Sequence, residues 1–157
     1  MGRRRRWFVL IGVLLISAFV AAGCAENDAP QKNDAPQKSE APTTEFTSPG
    51  GVDLTIVTPR QGATITSPLE VAGRAPGSWS FEADFPLEIL DAERRRVAEG
   101  FATVKGEWMT EDDVDFAGTI EFDTPPSATG FLVLHKANPS GLKKNDDAVE
   151  IPVRFEP

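Results

Sequence analysis

The sequence predicts an all-β fold for residues 52–157, and three observations support this prediction. Apolar and polar residues alternate with a period of two, as in Leu54-Thr55-Ile56 and again from Val149 to Phe155, which is the pattern of half-buried strands. Proline, glycine, asparagine and aspartate separate these segments at short intervals. No segment is both long enough and periodic enough to predict a helix. Together the observations predict a seven-stranded antiparallel β-sandwich of immunoglobulin type.

Seven segments carry the strand pattern, and each ends at a turn signal. The charged segment Asp91–Ala98 permits a helix but is too short for one, so we predict a turn there. Pro152 interrupts the last strand and indicates an edge position or a bulge, because proline cannot donate to a central ladder. With a single cysteine, the sandwich must be held by its aromatic core rather than by a disulfide. The predicted strands are 52–58, 69–75, 86–90, 97–104, 114–122, 129–136 and 148–155.

The N-terminus predicts export. Arg3 to Arg6 form a positive region, Trp7 to Val20 an apolar region, and Ala-Ala-Gly a small-residue cleavage site, so we interpret residues 1–23 as a secretory signal peptide. The only cysteine, Cys24, follows at once. The run Val20-Ala-Ala-Gly-Cys24 resembles the lipobox of bacterial lipoproteins, and this resemblance implies cleavage before Cys24 and acylation, with palmitate as one acyl group.

A second interpretation of the same segment is an uncleaved transmembrane anchor, since residues 7–23 are apolar or small and approach the length that spans a bilayer. An uncleaved helix would not need the small residues and Cys24 at its end, which favours the lipoprotein. In both interpretations the arginines stay inside and the rest of the chain faces outside the cytoplasm. We expect a membrane location through a lipid anchor.

Residues 24–51 are predicted to form a disordered tether. They contain no apolar cluster, and the hexapeptide Asn-Asp-Ala-Pro-Gln-Lys occurs twice in tandem, at 27–32 and 33–38. Such a composition buries too little apolar surface to offset the entropy of the chain. As a flexible coil it would reach roughly 30 Å, which lifts the folded domain away from the lipid surface.

The charge of the mature chain narrows the class of partner. Removal of the signal peptide takes four arginines and no acid, so the formal net charge moves from −8 to −12. Nucleic acid and anionic headgroups would be repelled by such a surface. We therefore expect a protein or a cell-wall polymer as partner, no nucleic acid, and membrane attachment through the lipid alone.

Four collinear motifs resemble one known family. They are the segment from Ala75 to Pro86, the segment Gly106-Glu-Trp-Met-Thr-Glu111, the pair Asn138-Pro-Ser-Gly-Leu142 and Asn145-Asp-Asp147, and Ile151-Pro-Val-Arg-Phe155. In order and spacing they resemble the immunoglobulin-like domain of bacterial spore germination. The resemblance implies an extracytoplasmic sandwich, often in lipoproteins, with no assigned activity and no catalytic residues. The segment Asp91–Arg95 lacks the glycine expected at this turn.

The strand order predicts that three loops emerge at one end of the domain, the end where immunoglobulin domains place binding loops. These loops follow the second, fourth and sixth predicted strands. Functional residues concentrate in such loops, so we take their aromatic and polar residues as candidate binding residues. Packing in the core remains the alternative for the tryptophans. The candidates are Trp79, Glu82, Asp84, Trp108, Asn138 and Asn145.

Acidic residues of the same loops predict a calcium site as one possibility. Calcium takes six to eight oxygen ligands, and carboxylates supply them well. The spacing does not match an EF-hand loop, and a solvated acidic run is the alternative interpretation. The five candidate ligands are Glu111, Asp112, Asp113, Asp146 and Asp147.

Three functions remain open from the sequence. The first is a binding module of the cell envelope, with a link to sporulation or germination. The second is a structural accessory subunit that docks on a larger membrane complex. The third, an enzyme, is disfavoured: Ser140 has no base nearby in sequence, and the acids Glu82 and Asp84 lack the cleft that a glycosidase pair requires. We therefore predict no catalytic residues.

Overall fold

The computed structural model describes residues 42–157, and the regular secondary structure of this part of the chain is almost entirely β-strand. Two short 3-10 turns, Gly77–Trp79 and Lys143–Asn145, interrupt the loops. No helix in residues 42–157 has the length and apolar character needed to cross a bilayer. The signal peptide, Cys24 and the tandem repeat lie outside the described residues. The strands are β1 (Thr44–Thr47), β2 (Asp53–Thr58), β3 (Thr64–Ile65), β4 (Leu69–Pro76), β5 (Asp84–Asp91), β6 (Arg96–Val104), β7 (Asp113–Ile120), β8 (Thr129–His135) and β9 (Ala148–Phe155).

The strands form one curled sheet, with the order β1-β2-β4-β7-β6-β5-β8-β9-β3. All neighbours are antiparallel except β3 and β9, which pair in parallel. The predicted all-β class is confirmed, whereas the predicted number of seven strands is corrected: the described residues contain nine strands, and hydrogen bonds connect them into a single sheet. Each of the seven predicted segments does contain a strand, and the predicted turn lies between β5 and β6.

Strand β6 joins the two halves of the sheet. It pairs with β5 along most of its length and with β7 through its last residues, Ala102 to Val104. Strands β6 and β7 approach each other closely because Gly118 of β7 has no side chain. A Cβ at Gly118 would lie 2.5 Å from the carbonyl oxygen of Phe101 in β6. A sequence pattern cannot reveal this bridge, since alternation identifies strands but not which neighbours they select.

Two strands were missed by the sequence analysis, for different reasons. Strand β1 lies inside the segment predicted to be a disordered tether, so the predicted boundary at residue 52 is too late. The pattern there is weak because Phe46 is its one large apolar residue, and it packs against the core. Strand β3 has two residues, which is too short for any periodicity. The part of the predicted tether before residue 42 lies outside the described residues.

The inner faces of both halves of the curled sheet share one core. Phe85 of β5 meets Phe116 of β7 edge to face, with ring centroids 5.0 Å apart, and Phe122 packs on Phe155 in the same manner. Such aromatic contacts stabilise the fold beyond the area that they bury. The largest fully buried side chains are Trp79, Phe85, Phe116, Leu54, Ile56, Leu87, Ile89, Ile120, Leu132, Leu134, Ile151 and Val71.

Strand β9 is not the edge strand predicted from Pro152, since β3 lies beyond it, but Pro152 itself precedes the pairing with β3, which begins at Arg154. Pro152 lies opposite Phe131 of β8, while its carbonyl oxygen accepts a hydrogen bond from the N–H of Gly62 on the β3 side. Since the N and C=O of a strand residue point to the same side, the missing N–H faces away from the β8 ladder. Pro152 therefore removes no hydrogen bond from the ladder between β8 and β9.

Candidate functional site

Three loops meet at one end of the domain, which we call the loop end. Loop 1 covers residues 77–83, loop 2 residues 105–112 and loop 3 residues 136–147. The N–H of Gly77 donates to the carbonyl of Asp112 at 3.1 Å, and the N–H of Ala137 donates to the carbonyl of Trp79 at 2.9 Å. These bonds join loop 1 to both of the others, as the strand order predicts.

Glycine is required at the contact between loops 1 and 2. A Cβ at Gly77 would lie 2.2 Å from the carbonyl oxygen of Trp108 and 2.5 Å from that of Thr110. Both atoms belong to the backbone, so neither can move aside cheaply. The Gly-Ser-Trp motif of loop 1 therefore has a structural reason, which is close packing of two loop backbones.

Trp79 is a core residue and not an exposed binding platform, which corrects its selection as a candidate. The 3-10 turn Gly77–Trp79 turns its ring inward, and the side chain is 1% exposed. Its indole N–H has no hydrogen-bond partner among residues 42–157. Trp108 of loop 2 is half-buried and packs against the same core. The two tryptophans therefore support the loop end from below.

The candidate acids Glu82 and Asp84 belong to a tight hairpin turn. Phe81 and Asp84 exchange backbone hydrogen bonds of 2.9 and 3.1 Å, and the two residues between them, Glu82 and Ala83, have φ of +53° and +69°. This is the geometry of a type I′ turn, which normally selects asparagine and glycine. Asp84 accepts a hydrogen bond of 2.6 Å from the hydroxyl of Thr103. The turn thus presents Phe81 and Glu82 outward.

The candidate asparagines hold the shape of loop 3. The Nδ2 of Asn138 donates to the carbonyl of Leu142 at 2.9 Å and to the carboxylate of Asp146 at 2.6 Å. The Nδ2 of Asn145 donates to the hydroxyl of Ser140 at 2.9 Å, and that hydroxyl donates to Asn138 at 2.6 Å. The amide groups of both asparagines donate hydrogen bonds within the loop, and these bonds hold loop 3 in one conformation.

The five acids chosen as calcium ligands do not assemble a site. Asp146 is engaged with Asn138, and Asp147 accepts hydrogen bonds from the hydroxyl of Ser48 at 2.7 Å and from the N–H of Gly50 at 3.1 Å. No group of three or more histidine, cysteine, aspartate or glutamate residues within 42–157 is arranged to hold a metal ion. Glu111 and Asp112 of loop 2 and Asp113, the first residue of β7, are exposed. The calcium prediction therefore has no geometric support in the described chain.

Sequence reasoning missed the feature that distinguishes the loop end, which is one exposed large apolar residue on each loop. Phe81 of loop 1 is 48% exposed, Met109 of loop 2 is 73% exposed and Leu142 of loop 3 is 53% exposed. We call these three residues the apolar tip. A signal was present, because each stands among turn-forming or charged residues where no strand pattern needs it. Of the exposed large apolar residues in 42–157, Phe101 alone lies elsewhere.

The described residues thus form an all-β domain with one curled, mainly antiparallel sheet. Residues 53–142 match the family described as the immunoglobulin-like domain of bacterial spore germination, and the chain belongs to this family. The match runs from β2 into loop 3 and includes the whole apolar tip. No curated protein and no solved structure matches the chain.

Proposed function

We propose that this protein is a lipid-anchored, germination-related binding module that faces outside the cytoplasm and holds a protein partner at its loop end. The observation that carries the proposal is the apolar tip, formed by Phe81, Met109 and Leu142 on three loops, of which loop 1 is hydrogen-bonded to both of the others. Large apolar side chains kept in water by ordered loops are typical of interaction sites. The role is one of binding rather than catalysis.

The apolar tip can supply useful binding energy. Full burial of one such side chain is worth about 1.5–3 kcal/mol, and a few buried anchors dominate the affinity of most interfaces. The loops are held by their own hydrogen bonds, such as the bond of 3.0 Å from the N–H of Met109 to Glu107. A preordered loop loses little entropy on binding, so more of this energy appears as affinity.

Charge favours a partner with basic groups around an apolar pocket. Glu82 follows Phe81 directly, and Glu107 and Glu111 stand two positions before and after Met109. All three acids are exposed. Complementary charge around an anchor increases the association rate and excludes wrong partners. The strongly acidic balance of the whole chain supports the same conclusion.

The lipid anchor is the second part of the proposal, and the sequence around Cys24 supports it. Lipid labelling of cells that express the full chain should give a labelled mature protein. The Cys24→Ser variant should give no label and an unprocessed precursor, because its only cysteine is gone. A labelled, processed protein in that variant would show that attachment does not use Cys24.

The binding role is tested by crosslinking and capture from the native envelope. A triple variant, Phe81→Ser with Met109→Ser and Leu142→Ser, should lose the captured partner while its melting temperature stays close to that of the wild type. The control is Glu121→Ser, which changes an exposed side chain outside both the loop end and the groove lined by Phe101. Capture that survives the triple variant would refute the proposal for this surface.

A further inference from the structure

A groove lies on the outer face of the sheet and is lined by strand residues rather than by the three loops of the loop end. Ala102 and Val104 of β6 point into the core, so Phe101 points outward, where it is 65% exposed. Its cross-strand partner is Pro86 of β5. Together with polar side chains they line a groove of about 290 Å³, which we call the outer groove. Its lining residues include Pro86, Glu88, Arg96, Glu99, Phe101 and His135.

The polar side of the outer groove is an ordered network from three strands. One oxygen of Glu88 lies 3.0 Å from Nε2 of His135, and the other accepts the Nε–H of Arg96. Nη1 of Arg96 donates to Glu99 at 3.0 Å. The Glu88 side chain is only 15% exposed, so its two partners fix it firmly.

This network keeps hydrogen-bonding capacity for a ligand. A guanidinium has five N–H donors, and the contacts to Glu88 and Glu99 use only the Nε and Nη1 atoms of Arg96. The Glu99 carboxylate is exposed beside them and can accept. Donors and acceptors therefore stand beside the open ring of Phe101, held in place before any ligand arrives.

We propose that the outer groove binds a neutral glycan, with one sugar ring stacked on Phe101 and its hydroxyls bonded to Arg96 and Glu99. A pyranose has an apolar face of C–H groups and a rim of hydroxyls, which is the complement of an exposed aromatic ring beside planar polar groups. Small-ligand sites combine apolar contact with a few such placed polar groups.

Size and charge favour a glycan over the other classes of ligand. A protein interface needs about 800 Å² on each partner, whereas the apolar surface here is one phenylalanine and one proline. Anionic polymers are disfavoured by the excess of acids in the chain, 24 against 16 basic residues. This inference does not depend on the proposed function, since the loop end and the outer groove share no residue.

The test is a titration of the full chain, in detergent, with soluble tetramers of β-1,4-linked N-acetylglucosamine and of β-1,4-linked glucose. Nuclear magnetic resonance should show shifts of the His135 ring and the Arg96 Nε–H with either sugar. Phe101→Ala should weaken binding by about tenfold or more, and Phe101→Trp should preserve it, because the larger ring keeps the stacking surface. Phe81→Ala, at the loop end, is the matched control and should bind normally.

Two results would overturn the proposal. One is the absence of shifts at His135 and Arg96 in the wild-type protein at millimolar tetramer, which is independent of how any variant folds. The other is binding that Phe101→Ala leaves unchanged. If Phe101→Ala instead removes a captured envelope protein and no sugar binds, the outer face docks a protein, as the accessory-subunit hypothesis requires.

Discussion

Two tight turns at opposite ends of the domain hold non-glycine residues at positive φ, and they differ in what stabilises them. At the end opposite the loop end, Arg94 has φ of +63° in the turn between β5 and β6, residues 91–96, which we call the far turn. The carboxylate of Asp91 accepts the N–H of Glu93 at 3.0 Å and of Arg95 at 2.8 Å, and also Nε of Arg95 at 2.7 Å. Arg94 itself lies 4.2 Å above the ring of Phe131 and pairs with Glu150.

At the loop end, Glu82 and Ala83 hold the same kind of conformation with much less support. Ala83 packs its methyl group against the core, but no hydrogen bond or ion pair among residues 42–157 involves the side chain of Glu82. Left-handed backbone costs a non-glycine residue about 1–2 kcal/mol. Side chains around the far turn offset this strain, whereas the loop-end turn relies on backbone hydrogen bonds, between Phe81 and Asp84 and from the N–H of Val104 to the carbonyl of Ala83 at 2.7 Å. Residues in such strained conformations are frequent at functional sites, which agrees with the binding role proposed for the loop end.

The largest effect on the free energy of unfolding is expected at Trp79, in the core that supports the loop end. Trp79→Ala should lower the free energy of unfolding by about 3–5 kcal/mol, because it removes a fully buried ring and leaves a cavity. For a domain of ordinary stability this approaches unfolding. Trp79→Phe should cost less, since it also removes an indole N–H that has no partner among the described residues. Chemical denaturation followed by circular dichroism measures both.

The control for this comparison is Phe81→Ala, two residues further along the same loop. Phe81 is half exposed, so its removal should change the free energy of unfolding by no more than about 0.5 kcal/mol. Equal losses at the two positions would mean that the loop end has no division between a supporting core and an exposed binding tip.

The next largest effect on stability is expected in the far turn, at Asp91. Asp91→Ala should lower the melting temperature clearly, because two backbone N–H groups and the Arg95 guanidinium lose their acceptor at once. Asp84→Ala at the loop end removes one exposed side-chain bond, to Thr103, and should change the melting temperature much less. A reversed order would show that the far turn is not held by its carboxylate.

The positions of the strands could be predicted from the sequence, but their connections could not. Alternation such as Leu54-Thr55-Ile56 follows directly from burial of one face, and each predicted strand lies within two residues of its observed bounds. The pairing of β6 with β7 depends on the missing side chain of Gly118. In a sequence, a glycine within a strand can equally indicate a bulge, a bend or a close backbone approach, so this pairing could not be predicted.

The site was less predictable, because residue type does not reveal exposure. Trp79 and the asparagines of loop 3 were reasonable candidates by chemistry, yet tertiary packing buries the first and uses the amides of the others inside the loop. Phe81, Met109 and Leu142 lie outside the strand pattern, but the sequence does not say whether a loop buries or exposes such a side chain. Their exposure follows from loop geometry, and the type I′ turn at Glu82 and Ala83 carries none of the usual glycine signal.

A smaller effect, of opposite sign, should follow from relaxing the strained turn. Glu82→Gly removes a left-handed cost of about 1–2 kcal/mol and adds about 0.4–1 kcal/mol of unfolded-chain entropy, so the variant should be more stable by about 0.5–1 kcal/mol. Arg94→Gly should give no such gain, because it also removes the contacts with Phe131 and Glu150. Urea denaturation of both variants measures the difference, and a stabilised Arg94→Gly would erase the distinction between the turns.

The smallest effect is expected on acidification, and it should arise at the far turn and the outer groove. Burial raises the pKa of Asp91, but the hydrogen bonds from Arg95, its charge and the N–H of Glu93 together hold the pKa below its usual value. Burial likewise raises the pKa of Glu88, and the hydrogen bonds and charges of Arg96 and His135 lower it further than burial raises it.

A depressed carboxyl pKa stabilises the folded state above the ordinary pKa of about 4, and this contribution is lost as the pH falls through the lower folded value. The melting temperature should therefore not respond to these two groups between pH 7 and about pH 5, and should fall below about pH 4. Asp91→Asn should begin from a lower melting temperature at pH 7 and fall less steeply in acid. Parallel profiles for the wild type and Asp91→Asn would remove Asp91 as a source of acid sensitivity, and with it the claim that its charge offsets the strain of the far turn.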